Sequence, residues 1–276
     1  MRNLPEWIKT KSYIGSNYRE MKKILIEFSV NTICQSALCP NIYRCFENKS
    51  TAFLIMGRVC TRHCLYCNVS NNKPEKIKES ESVSIAKIVK HFNMRHTVIT
   101  SVTRDDLPDG GASCFVRTIK EIRKFNPETA VEVLIPDFDG SEDALEMVVN
   151  EKPEIINHNI EVVEKLFPLI RPQADYRRSL NLLNTVKNID KDIKTKSGII
   201  VGLGETKDEV IETMVDLRKV CCDILTIGQY LRPSEKHYPV IEYYHPNEFA
   251  EFKMIGEKLG FSEINSNPLV RSSYQL

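Results

Sequence analysis

No stretch of about 18 consecutive apolar residues occurs in the chain, so nothing in it reads as a helical membrane span. Charge of neither sign dominates. The 38 basic residues stand against 37 acidic ones, a formal net charge of +1, which argues against capture of nucleic acid or of an anionic membrane. There is no low-complexity tract and no repeat of solenoid period. The opening MRNLPEWIKT lacks the apolar core of a secretion signal. Residues 21–30 imitate one, but Glu27 interrupts them and they read as a helix. With 42% hydrophobic residues, a chain of 276 is long enough for one large domain with appendages.

Cysteine is what the chain has in excess. There are nine, an odd number, and six fall within the 34 residues from Cys34 to Cys67. Without an entry signal a disulfide framework is not expected, and a cytoplasmic, reduced protein is. Clustered thiols in that setting serve metals or catalysis.

The rest of the chain alternates between two patterns. Residues 53–56, 97–102, 130–135, 154–157, 198–201 and 224–227 are short, continuous apolar runs rich in Val and Ile, as in parallel strands buried on both faces. Between and after them lie segments of helical period: 84–92, 113–125, 141–149, 176–188, 207–220 and 246–259. Ser84 and Ser141 are candidate caps, and Gly260 stops the last helix. Six strand–helix units predict a parallel sheet with right-handed crossovers. An open doubly wound sheet and an incomplete barrel both satisfy this pattern, and both put chemistry at the C-terminal ends of the strands. Residues 1–49 and 263–276 fall outside the alternation and read as extensions flanking a central domain at 50–262.

The first predicted strand runs into Cys60-Thr-Arg-His-Cys64-Leu-Tyr-Cys67. Three thiols so spaced can converge in one loop, and soft thiolates suit zinc or an iron–sulfur cluster. A structural zinc site needs four ligands. His63 is a candidate fourth, but it lies inside the loop, where closing a tetrahedron is awkward. A cubane held by three cysteines leaves one iron open to a small molecule. A second triad, Cys34, Cys39 and Cys45, lies upstream and also lacks a local fourth ligand. Zinc with a distant histidine and a second cluster both remain open for it.

The CxxxCxxC loop directly after the first strand resembles the signature of the radical S-adenosylmethionine superfamily. The resemblance to one of its families, the lipoyl synthases, extends along nearly the whole chain. It includes Pro5-Glu-Trp7, the loop from Cys34 to Cys45, residues 100–111 and 131–138, and Asn157-His-Asn-Ile-Glu161. It continues through Ile170-Arg-Pro172, Lys196-Ser-Gly198, residues 201–206 and 222–231, and the ending Pro268-Leu-Val-Arg-Ser-Ser-Tyr274.

The resemblance implies a partial (βα)6 TIM-type barrel with N- and C-terminal extensions. It implies two 4Fe–4S clusters. Cys60, Cys64 and Cys67 hold the one that cleaves S-adenosylmethionine to a 5′-deoxyadenosyl radical. Cys34, Cys39 and Cys45 hold a sulfur-donating one completed by Ser273, or less readily by Ser272. The implied reaction inserts two sulfur atoms at carbons 6 and 8 of an octanoyl group on a lysine of a carrier, either H protein or the lipoyl domain of a 2-oxoacid dehydrogenase E2 component. Flavodoxin or ferredoxin is the implied electron donor. Tyr66 is expected beside the adenine, and Thr103, Asn159, Gly202, Gly204 and Glu205 near the cofactor. His158 and Arg104 stand at strand ends where the site is expected.

Arg171, Arg177 and Arg178 read first as a solvated helix face and second as a docking patch for an acidic carrier. Cys114, Cys221 and Cys222 read as small buried apolar residues. The aromatics Tyr238, Tyr243, Tyr244 and Phe249 read as packing. The chain departs from the family pattern at Arg58, Thr103 and Asn267, none of them an expected iron ligand.

Overall fold

The computed structural model describes residues 4–10 and 14–273. Tyr274, the last residue of the expected C-terminal motif, lies outside them. Eight strands form one sheet in sequence order: β1 (Asn31–Thr32), β2 (Ala52–Ile55), β3 (His96–Ser101), β4 (Ala130–Leu134), β5 (Ile155–Asn157), β6 (Lys194–Val201), β7 (Ile224–Gln229) and β8 (Glu263–Ser266). From β2 to β8 every neighbouring pair is parallel, and β1 is antiparallel to β2. Among the described residues β8 does not pair with β1, so the barrel is left open.

The six expected strands are β2 to β7. They form because continuous apolar runs can be buried on both faces: all four residues of β2 and all six of β7 are buried. The edge strands β1 and β8 come from segments read as extensions. Each is short and carries too few apolar residues to stand out by pattern.

Seven longer helices accompany the sheet: α1 (Ser16–Glu27), α2 (Glu81–His91), α3 (Ala112–Phe125), α4 (Glu142–Val149), α5 (Tyr176–Ile189), α6 (Lys207–Lys219) and α7 (Pro246–Leu259). Their ends follow capping chemistry. Ser141 accepts from the Ala144 amide, Asp175 from Arg178, and Thr206 with Glu209 forms a capping box on α6. Gly260 ends α7 at φ 87°, a left-handed conformation that glycine adopts without strain. Ser84 is not a cap. It lies inside α2, which begins at Glu81, whose buried carboxylate accepts from the Met56 amide just after β2.

At the N-terminal end of the barrel, buried Lys196 pairs with buried Glu132 at 2.8 Å, and Asn157 donates to the same carboxylate oxygen at 3.2 Å. A hollow of about 650 Å³ opens beneath this pair. Among the described residues no helix is long and apolar enough to cross a membrane.

Candidate active site

The chain leaves β2 through Met56 at φ 68° and Gly57 at φ 89°, and turns into the Cys60 loop. Backbone bonds shape that loop: Cys60 N–H donates to Ser70 O at 2.7 Å, Cys67 N–H to Cys64 O at 3.1 Å, and Leu65 N–H to Ile170 O at 2.9 Å. The amides of Thr103 and Arg62 both point at Cys60 Sγ, at 3.3 and 3.4 Å. His63 is exposed and turned away, its ring 3.2 Å from Gln173 Oε1, so it is not placed as a fourth ligand.

Arg62, inside the loop, donates to both carboxylate oxygens of Asp105 at 2.9 and 2.8 Å and reaches Asp137 Oδ1 at 2.6 Å. Arg178 takes the other oxygen of Asp137 at 2.9 Å. Burial alone would raise the Asp137 carboxyl, but the hydrogen bonds and charge of Arg62 outweigh it and hold the group well below the usual carboxylate range.

The second triad follows β1. Thr32 caps a short helical turn, Ile33–Ser36, that carries Cys34. The backbone reverses at Leu38, φ 51°, and Cys39 N–H closes on Cys34 O at 3.0 Å. Cys45 lies on a second short helix, Ile42–Glu47.

Both loops open on one cavity of about 330 Å³ at the C-terminal end of the barrel. Cys34, Cys39, Cys60, Cys64 and Cys67 line it, as do Ser272 and Ser273 from the C-terminal segment. Tyr66, Thr103, His158 and Asn159 are on its wall as well. Cys45 is not on the wall but lies within electrostatic range of Cys34 and Cys39. Burial pushes the Cys45 and Cys67 thiols up to about 12, and raises Cys34, Cys39 and Cys64 too. Buried thiols of this kind release their protons when a metal takes the sulfur.

Among the described residues, no three Cys, His, Asp or Glu side chains converge on a point suited to a single metal ion. The thiols of a cubane bind different irons and stand wider apart than the ligands of one zinc. The three soft thiols of Cys60, Cys64 and Cys67 fit an iron–sulfur cluster by their chemistry.

Among the described residues, four buried polar atoms on residues that line the cavity have no partner: Ser101 Oγ, His158 Nε2, Asn159 Oδ1 and Arg171 Nε. His158 places Nδ1 2.9 Å from Ile135 O, which fixes the proton there and leaves Nε2 as an acceptor. Arg171 is buried and donates to Asn159 O and Ile160 O at 3.2 and 2.9 Å. It is therefore part of the cavity wall and not of a docking patch. Arg177 is exposed and paired with Glu164, and Arg178 is committed to Asp137 and Asp139.

Gly202, Gly204 and Glu205 lie off the cavity wall. Glu205 turns inward and accepts from the amides of Gly202 and Leu203, and a Cβ on Gly202 would meet the Gln229 side chain and Glu242 O. Arg104, also off the wall, is bound to Asp106 at 2.7 Å. Cys114 and Cys222 are buried, whereas Cys221 is exposed because the turn after α6 gives it φ 58°. Tyr244 packs on Phe249, centroids 6.3 Å apart.

Sequence reasoning missed Arg62, Asp137, Glu161 and Arg271 on this wall. Their signal was position: charged residues in or just after the loops at the C-terminal ends of barrel strands.

The radical S-adenosylmethionine superfamily profile matches residues 54–217, and the profile of the N-terminal domain of lipoyl synthase matches residues 1–39. Lipoyl synthase of Caldicellulosiruptor saccharolyticus is 50% identical over 270 residues, covering 98% of this chain and 95% of its own. That of Caldanaerobacter subterraneus is 52% identical over 98% of this chain and 94% of its own. This chain belongs to the lipoyl synthase family.

Solved structures bear out the fold expected of a lipoyl synthase. A maturase of the FeFe hydrogenase superposes with TM-score 0.60 at 13% identity, covering 78% of this chain and 55% of its own. Methylornithine synthase gives 0.57 at 11% identity, covering 82% and 74%. The partial barrel is the shared architecture. Membership in the superfamily brings S-adenosylmethionine and a 4Fe–4S cluster with it.

Proposed function

We propose that this cavity inserts sulfur at carbons 6 and 8 of an octanoyl group on a carrier lysine, and that the two cysteine triads hold the two 4Fe–4S clusters the reaction consumes or cycles. The observation that carries the reading is the single cavity shared by five thiols of the two triads and both serines. In this reading Cys60, Cys64 and Cys67 hold the cluster that works with S-adenosylmethionine. Cys34, Cys39, Cys45 and Ser273 hold the sulfur donor.

When bound, these groups supply a carbon radical that takes hydrogen from unactivated methylenes, and the sulfur that replaces it. The chain supplies position, charge and dryness. Asn159 Nδ2 donates to Ser272 Oγ at 2.8 Å, which engages that serine and favours Ser273 as the oxygen ligand. Arg62 and its two carboxylates fix the Cys60 loop against the end of β4. Arg171 sets a buried positive charge near Cys64, Tyr66 and Glu161. The neutral His158 offers an acceptor to an N–H or O–H of a bound molecule. Val102, Ile135, Ile199, Ile200 and Leu231 line the wall and suit an aliphatic chain from which water must be kept.

H protein or the lipoyl domain of a 2-oxoacid dehydrogenase E2 component is the carrier, and flavodoxin or ferredoxin the electron donor. Free thiols in such number favour the cytoplasm. Residues 1–49 and 263–276 act as extensions that bring the second triad and the serine to a central domain at 50–262.

The test is anaerobic incubation of the cluster-loaded chain with reductant, S-adenosylmethionine and an octanoylated carrier peptide, read by mass spectrometry. The expected result is a peptide carrying two sulfur atoms, from a chain holding about eight irons. Stoichiometric zinc, no sulfide and an unchanged peptide would discard the reading.

A further inference from the structure

After β8 the chain crosses the open end of the barrel as a strap, residues 267–273. It first continues beside β7: Asn267 N–H donates to Ile227 O and Gln229 N–H to Pro268 O, both at 3.1 Å. It then turns over two strand-interior glycines. A Cβ on Gly228 would lie 2.2 Å from Val270 O and 3.2 Å from Arg271 Nη1. A Cβ on Gly198 of β6 would lie 2.9 Å from both Asn159 Oδ1 and Thr226 Oγ1 and 3.1 Å from Ser272 Cβ. Glycine weakens a strand interior, and its presence there marks a close approach by another segment. At Gly228 that segment is the strap, and at Gly198 it is the strap together with Thr226 of β7 and Asn159, whose Nδ2 donates to Ser272 Oγ. Asn41, in the loop of the second triad, donates from Nδ2 to Leu269 O at 2.7 Å and is itself buried.

We infer that Gly228 and Gly198 are positioning residues that seat the strap, and that Asn41 ties the loop of Cys34, Cys39 and Cys45 to it. The seat stands on packing and hydrogen bonds. Its consequence for iron rests on the reading above, in which the strap supplies an oxygen ligand.

The test uses the full chain in a background where Cys60, Cys64 and Cys67 are all replaced by Ala, so that only the second triad can load. Two quantities are read: trimming of the iron-free chain by a carboxypeptidase, followed by intact mass, and iron per chain after anaerobic reconstitution. The background loads about four irons. Gly228→Ala is expected to speed trimming by about tenfold or more, because its Cβ cannot coexist with Val270 O. It is also expected to cut iron at least by half. Asn41→Asp, which keeps the shape but loses the donor and sets a carboxylate against Leu269 O, is expected to do both to a lesser degree.

Should Gly228→Ala not fold, as circular dichroism would show, Asn41→Asp carries the test alone. Parental trimming and iron content in either folded variant overturns that residue's role. Faster trimming with undiminished iron keeps the seat and removes the serine-ligand reading.

Discussion

Arg62 Nη2 stands 2.6 Å from Asp137 Oδ1, and both side chains are buried. The pair joins the loop of the first cysteine triad to the end of β4. Arg62→Ala leaves a buried carboxylate with Arg178 and the Asp139 amide as its remaining partners. A loss of about 3 kcal/mol in stability is expected, together with a fall of at least about tenfold in deoxyadenosine formation. Urea unfolding and anaerobic turnover check these separately. A variant with wild-type values in both would show that the loop is held by its backbone bonds alone.

The two triads are expected to fail differently. Cys60→Ala abolishes reductive cleavage of S-adenosylmethionine. Cys39→Ala retains some cleavage but yields no sulfur-bearing peptide. Chromatography of deoxyadenosine and mass spectrometry of the peptide, from one reaction, separate the cases.

The two serines are separable as well. Ser273→Cys is expected to retain iron and yet lower the yield of product, because a thiolate holds iron more firmly than an oxygen does. Ser272→Ala loses the bond from Asn159 but leaves iron loading nearer to wild type. Iron analysis against product yield decides the assignment, and the reverse pattern would transfer the ligand role to Ser272.

His158 makes stability depend on pH. Burial, then the Arg171 charge, pushes it down from its ordinary 6.5 to about 4, against the pull of Asp137 and of Ile135 O and with a further push from Arg62. Between these values the unfolded chain binds more protons than the folded one, so stability falls as pH drops through that window and the loss levels off below it. From pH 7 to pH 5 the cost is about 2 kcal/mol. Urea midpoints for the wild type and His158→Asn check this, the variant losing less over the same interval. Asp137, held low, contributes a loss only at more acid pH.

At the other end of the barrel, Lys196→Met removes the cation paired with the buried Glu132 carboxylate and leaves it the Asn157 amide and the His96 ring as neighbours. The expected cost is about 3–5 kcal/mol, read as a fall in melting temperature with cluster loading preserved in the fraction that remains folded. Glu132→Gln in the same chain is expected to recover part of it.

How much of this was legible in the sequence follows from the physics of each signal. β2 to β7 announce themselves because burial on both faces demands unbroken apolar runs, and Ser141 and Gly260 mark helix ends by local chemistry. The edge strand Asn31–Thr32 has no such demand upon it, and neither its place nor that of Glu263–Ser266 can be read from period. The cysteines were legible by spacing. Their shared cavity was not, since Cys34 and Ser273 are brought together only by the path of the sheet. Arg171 illustrates the opposite error. Next to Pro172 in a polar stretch it reads as surface, yet it is buried in the cavity wall with Nη1 donating to two backbone carbonyls after β5. Gly202 and Gly204 suggested a cofactor loop because a left-handed backbone, φ 104° and 110°, serves tight packing and ligand approach equally well.

The barrel's two unpaired margins have a consequence of their own. The second cysteine triad departs from β1 and the serines depart from β8, so both halves of that site hang from opposite rims of the same seam. In the proposed reading, iron bound there would clasp two rims that strand pairing leaves apart and that the bond from Asn41 Nδ2 to Leu269 O already bridges. Dismantling it each cycle would slacken the two rims and leave the seven parallel staves standing, ready to be fastened again.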